Sequence, residues 1–155
     1  MTPATKALDQ RQVVYQTHVY VHDPHHGSYG DEAAEALGID AARVHKTLLA
    51  KVDDKWLVVA VVPVTGKLNL KALAKAAGGK KAAMAEQAEA ERSTGYVVGG
   101  ISPLGQRKPL PTFIDDQARA HATVYVSGGK RGFEIELSPA DLAAATEARL
   151  APLSV

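Results

Sequence analysis

The chain contains no cysteine, which excludes disulfides, thiolate metal sites and an enzyme-borne cysteine nucleophile at once. Aromatic residues fill only 5% of its 155 positions, with one Trp and two Phe, so any core must be built from aliphatic side chains. Alanine buries little area, so valine and leucine carry most of the core energy, which predicts Ala-rich helices and Val-rich strands. No stretch approaches the roughly 18 apolar residues of a membrane span. The opening MTPATKALDQRQ has no apolar signal core, so the chain reads as untargeted, without a membrane partner, and suited to a reducing cytoplasm. Neither charge is in excess: Lys plus Arg number 18 and Asp plus Glu 17, so a site for a polyanion must be a local feature.

Two common catalytic signatures are also missing. There is no G-x-S-x-G nucleophile elbow and no G-x-x-x-x-G-K-[ST] phosphate loop. Gly99, Gly100 and Gly105 lack the strand-loop-helix setting of a dinucleotide fingerprint.

What is present reads as one α+β domain over residues 1–155, with no repeat or linker. Thr2 and Pro3 open a helix over TPATKALDQR, and Val13 to Val21 reads as a strand. A helix over Asp31 to Leu37 ends at Gly38, and Asp40 caps a further turn through Val44. Lys46 to Val52 and Trp56 to Val62 form a buried hairpin around Asp53-Asp54-Lys55. Asn69 caps a helix over LKALAKAA, and a weaker one covers Ala85 to Arg92, both peripheral. Thr112 to Ile114, Ala122 to Ser127 and Phe133 to Leu137 are strands, the last two joined by a Gly128–Gly132 loop, and Ser138-Pro139 opens the last helix.

Several clusters admit two readings. His22, His25 and His26 near Asp23 have metal-like spacing, but no rigid helix fixes them, so the loop reads as solvated and no metal is assigned. His18, His45 and His121 are scattered. The Gly99-Gly100 loop either aims amides at a carbonyl that becomes an oxyanion or is a turn forced by topology. Lys46 either sits at a pocket mouth or snorkels. Gly-Gly-Lys-Arg-Gly is either a phosphate clamp or a solvated turn.

HKTLL (His45 to Leu49), RSTGYVVGGISPLGQ (Arg92 to Gln106), YVSGGKRG (Tyr125 to Gly132) and the EIEL after it together resemble the YbaK/EbsC family, over nearly the whole chain. That family is similar to the editing domain of bacterial prolyl-tRNA synthetases. The resemblance implies a single domain with a curved, barrel-like mixed β-sheet and helices outside. It implies a trans-acting deacylase that removes cysteine from Cys-tRNA(Pro), and from Cys-tRNA(Cys), by attack of the substrate's own thiol and release of a thiolactone. No cofactor is required, and prolyl-tRNA synthetase is a transient partner. Carried over residue by residue, Lys46, Gly99 and Ser127 are implied as catalytic, and Tyr20, Tyr29, Gly100 and Glu134 as substrate-binding. Lys130 and Arg131 are implied to meet tRNA phosphates. Tyr29 and Glu134 depart from the family pattern, standing for Phe and Asp, by a hydroxyl and a methylene that bear on pocket size. An editing hydrolase for Ala-tRNA(Pro), with water positioned by Glu134 or Tyr29, and a non-catalytic tRNA- or synthetase-binding module remain as alternatives.

Overall fold

The computed structural model describes all residues, 1–155. Helix α1 spans Pro3–Gln10; Thr2 caps it reciprocally with Thr5, and Pro3 supplies the preset first turn. Strand β1 is Gln16–Val19 and helix α2 is Tyr29–Leu37, followed by a 3-10 turn at Ala41–Arg43 capped by Asp40. The hairpin is β2, His45–Val52, and β3, Trp56–Pro63. Asp53 and Asp54 both hold positive φ at its turn, the left-handed pair that matches strand twist. Then follow α3 (Leu70–Ala76, capped by Asn69), β4 (Ala82–Met84), α4 (Gln87–Thr94) and β5 (Thr112–Asp115). A 3-10 stretch, Asp116–Ala120, leads to β6 (Val124–Lys130), β7 (Phe133–Leu137), α5 (Pro139–Thr146) and β8 (Arg149–Ala151).

The strands form two sheets. Five lie in the order β4-β2-β3-β5-β8, and three in the order β1-β7-β6. β3 pairs with β5 and β5 with β8 in parallel; the other pairs are antiparallel, so the larger sheet is mixed. The mixed α+β domain thus matches expectation, but the sheets do not close into a barrel. β2 pairs with β3 along its whole length yet with β4 only from Ala50 to Val52, and the two sheets meet through one parallel bridge, Val44 to Tyr125. Residues 46–48 therefore lie on a stretch of the β2 edge that neither β4 nor the bridge covers, and the seam that closure would have filled stays open.

The five-stranded sheet is buried on both faces. Leu49, Val59, Val61 and Ile114 enter the main cluster on one side; Ala50, Val52, Val58, Ala60 and Val62 meet Leu73 of α3 on the other. This explains the unbroken apolar run of β3. Replacing the fully buried Leu73 by Ala would cost about 2–5 kcal/mol. The three-stranded sheet gives only one face, Val124, Val126, Ile135 and Leu137, to the core. Its other face carries Tyr125, Ser127, Glu134 and Glu136, since successive side chains alternate.

Several boundaries differ from the sequence reading: β1 covers only Gln16–Val19 of the strand expected over Val13 to Val21, β2 starts one residue earlier at His45, and α4 lies two residues later than expected, at Gln87–Thr94. Ser28 caps α2, so it starts at Tyr29 rather than Asp31. β6 continues through Gly128–Lys130 with a register break after Ser127, which shortens the expected loop to Arg131-Gly132. The three-residue strands β4 and β8 were not assigned from the sequence, because AAM and RLA have weak β character; neighbouring edges recruit them.

Candidate functional site

The open seam is a cavity of about 410 Å³. Its walls are the β2 edge, the start of α2, the loop at residues 98–101, and Ser127 and Glu134 from the polar face of the smaller sheet. Lys46, Gly99, Ser127, Tyr29 and Glu134, distant in sequence, all line it.

On β2 the Leu49 carbonyl accepts from the Ala85 amide at 3.0 Å, on the side away from β3. Strand alternation points the peptide group of Thr47 the same way, so between the Ala85 contact and the Val44–Tyr125 bridge the edge offers a main-chain donor and acceptor. On this stretch sits Lys46, whose Nζ donates to the Gly66 carbonyl at 3.0 Å and has no carboxylate in ion-pair range. A neutral carbonyl orients the ammonium without cancelling its charge.

Ser127 faces Glu134 across β6 and β7. Its Oγ accepts from the Gly129 amide at 3.1 Å, and no histidine or carboxylate bonds to it, so nothing activates it as a nucleophile. Glu134 is buried and has no hydrogen-bond partner among the side chains, and burial pushes its pKa up to about 8. At neutral pH it holds its proton and can donate a hydrogen bond.

The two glycines of the 98–101 loop do different work. Gly99 has φ +92°, and a Cβ there would stand 2.6 Å from Arg131 Nε and 2.8 Å from the Tyr29 ring. Its amide has no acceptor within the chain, so it is free at the cavity wall. Gly100 donates to the Val97 carbonyl at 2.9 Å and sits so close to the β6–β7 hairpin that a Cβ would lie 2.7 Å from Lys130 Cα. It seats the loop and does not line the cavity.

Three more of the expected residues lie around the cavity rather than on its wall. Arg131 donates to the Val98 carbonyl from Nε at 3.0 Å and Nη2 at 2.6 Å, and its guanidinium lies 5.0 Å from the Tyr29 ring centre. This clasp ties loop, hairpin and α2 together at the mouth, so the guanidinium is already engaged. Lys130 lies over the Phe133 ring at 5.6 Å. Tyr20 packs against the Val44 and Tyr125 cluster; burial, then nearby Glu134 and Glu32, pushes its phenol up to about 12. In the histidine loop, His22 bonds Glu32 at 2.7 Å and His26 bonds Glu35 at 3.0 Å, which fastens the loop to α2.

Sequence reasoning missed His45 and Thr47. Both line the cavity. His45 Nδ1 donates to the Arg43 carbonyl at 3.1 Å, which leaves Nε2 as an acceptor; burial holds its pKa below the usual value. That Nε2 and Thr47 Oγ1 are buried without partners, a cost of about 1–3 kcal/mol each in the empty site. The signal was two polar residues alternating on one edge just before an aliphatic run.

The sequence profile of the aminoacyl-tRNA editing domain matches residues 23–145. EbsC of Enterococcus faecalis, whose name assigns it provisionally to Cys-tRNA(Pro)/Cys-tRNA(Cys) deacylation, is 37% identical over 153 residues, 99% of this chain and 93% of EbsC. A proline–tRNA ligase of Shouchella clausii is 35% identical over 104 residues, 66% of this chain but 18% of the ligase. A crystal structure described as a candidate trans-editing enzyme for prolyl-tRNA synthetase superposes with a TM-score of 0.83 at 26% identity, covering 99% of this chain and 95% of that one. No helix is long and apolar enough to cross a membrane.

Proposed function

The chain belongs to the aminoacyl-tRNA editing domain family, and on that premise we propose that residues 1–155 act as one trans-editing deacylase that removes cysteine from Cys-tRNA(Pro), with Cys-tRNA(Cys) as a second substrate. The observation that carries the reading is a cavity with a cation and a free amide but no nucleophile–base pair. The chain has no cysteine, and Ser127 has no base. The nucleophile must come with the substrate or from water, and a cysteinyl ester brings its own.

In this mechanism the substrate thiol attacks its own ester carbonyl. The S–C bond forms, the C–O bond to the terminal ribose breaks, and the thiol proton ends on the ribose oxygen. The products are a four-membered thiolactone and free tRNA. A cysteine thiol has a pKa of about 8.5, so the Lys46 ammonium raises the thiolate fraction and then steadies the oxyanion. The Gly99 amide is the second donor to that oxygen. Ser127 and protonated Glu134 hydrogen-bond the aminoacyl group and hold thiol against carbonyl, which supplies effective molarity against ring strain. Tyr29 closes the mouth and sets the size of the side chain admitted. Binding of tRNA by a chain of net charge +1 is weak overall, and transient association with prolyl-tRNA synthetase supplies local concentration.

The test is deacylation of Cys-tRNA(Pro) beside Ala-tRNA(Pro) and Ser-tRNA(Pro), by the wild-type protein and Lys46→Ala. Release of cysteine alone, lost in the variant, supports the reading. Release of alanine leaves the site in place but transfers the reaction to water positioned by Glu134 or the Tyr29 hydroxyl. Inactivity on all three turns the reading to a binding module.

A further inference from the structure

The charge of the chain is balanced only in total. Residues 64–85 carry five lysines and not one Asp or Glu, so the rest of the chain, with 13 basic against 17 acidic residues, is net acidic. Lys67, Lys71, Lys75, Lys80 and Lys81 are all exposed. Only Lys81 reaches a carboxylate, that of Asp54 at 3.8 Å, while Asp53 bonds the main-chain amides of Lys80 and Lys81.

The fold lays these lysines out in a row that begins at the cavity. Lys46 Nζ touches the Gly66 carbonyl, one residue before Lys67. From there α3 runs beside β2: Leu73 packs with Ala50 and Val62, and Gly79 abuts Val52 and Asp53 at the far end of the strand. Lys71 and Lys75 lie one helical turn apart, about 6 Å, on the outer side of buried Leu73 and Ala74. The row follows the eight residues of β2, roughly 23 Å.

We propose that Lys67, Lys71, Lys75 and Lys80 form the docking face for the phosphate backbone of the tRNA acceptor stem whose aminoacyl end enters the cavity. The proposal rests on the editing reading above. It also supplies the local polyanion site that the near-zero net charge requires. An RNA backbone is favoured over a protein partner because protein interfaces are depleted of lysine and enriched in aromatics, and residues 67–81 expose no large apolar side chain. Lys130 and Arg131, one over Phe133 and the other bound to Val98, are less free for this task.

The experiment compares wild type with Lys67→Ala/Lys71→Ala/Lys75→Ala on two substrates, Cys-tRNA(Pro) and cysteine esterified to a CCA trinucleotide. The expected result is at least a tenfold rise in KM for the tRNA with kcat kept, a salt dependence of kcat/KM shallower by about 2 in log–log slope, and an unchanged rate on the trinucleotide. Equal loss on both substrates, no loss on the tRNA, or a loss seen only when prolyl-tRNA synthetase is added would overturn it; the last would make the row a protein-binding surface. Binding of uncharged tRNA(Pro), followed by fluorescence anisotropy, tests the row without turnover. A tenfold weaker Kd in the variant supports the row and an unchanged Kd refutes it, even if the wild-type protein deacylates nothing and the editing reading fails.

Discussion

Glu134 and Glu136 stand two residues apart on the same face of β7, yet their surroundings drive them in opposite directions. Burial works to raise Glu136, but bonds from Thr123 and His18 outweigh it and hold its carboxyl below the usual range; Arg43 adds an ion pair at 3.2 Å. Glu134 has burial and no partner, and rises to about 8. One end of the polar face is a satisfied network that joins the 3-10 turn at residues 41–43 to the smaller sheet; the other is an unsatisfied wall of a cavity. The lesson is that chemistry sits where the fold leaves polar groups unpaired, whereas a fully bonded carboxylate holds elements together.

Four substitutions sharpen or break that contrast. At the cavity end, Lys46→Ala should lower kcat/KM for Cys-tRNA(Pro) about 10²–10³-fold. Its melting temperature should hardly move, because the partly buried ammonium bonds a single loop carbonyl and no carboxylate. At the network end the signs reverse. Glu136→Ala strands Arg43 and His18 and should cost about 2–3 kcal/mol in urea unfolding, while the folded fraction keeps its kcat. A large loss of turnover there would dissolve the distinction.

Glu134 is tested by pH. Its folded pKa of about 8 lies above that of an unfolded glutamate, so the native state binds more protons between about pH 4.5 and 8, and this contribution to stability declines as pH rises through that window. Glu134→Gln cannot ionise, so it should be more stable than wild type at pH 9 and equal to it near pH 4. A wild-type-minus-variant profile that is flat, or rises with pH, contradicts the assignment. The smallest effect is expected from Ser127→Ala, a loss of about one hydrogen bond to substrate and roughly 3–10-fold in kcat/KM, since Ser127 is not the nucleophile.

Much of the fold was legible. The caps at Thr2, Asn69 and Ser138, the β2–β3 hairpin and the stop at Gly38 are local signals, and each stands where residue chemistry puts it. The open seam was not legible, because closure depends on how far β4 and β6 follow β2, which is decided by pairing between segments distant in sequence. The site was legible chiefly through resemblance. By itself Lys46 read as an ordinary strand lysine, and nothing in its spacing shows the Gly66 carbonyl that orients it. The different tasks of Gly99 and Gly100 also emerged only in three dimensions, one held open by Arg131 and Tyr29, the other pressed on the hairpin.

The most direct test of the central claim, that the substrate supplies the nucleophile, is the identity of the first product released from Cys-tRNA(Pro), trapped and weighed by mass spectrometry within a single turnover. Attack by the substrate thiol gives the thiolactone of cysteine, one water lighter than the free amino acid, as that first product. Free cysteine as the first product, formed with the ¹⁸O of labelled solvent and without a thiolactone precursor, would contradict it.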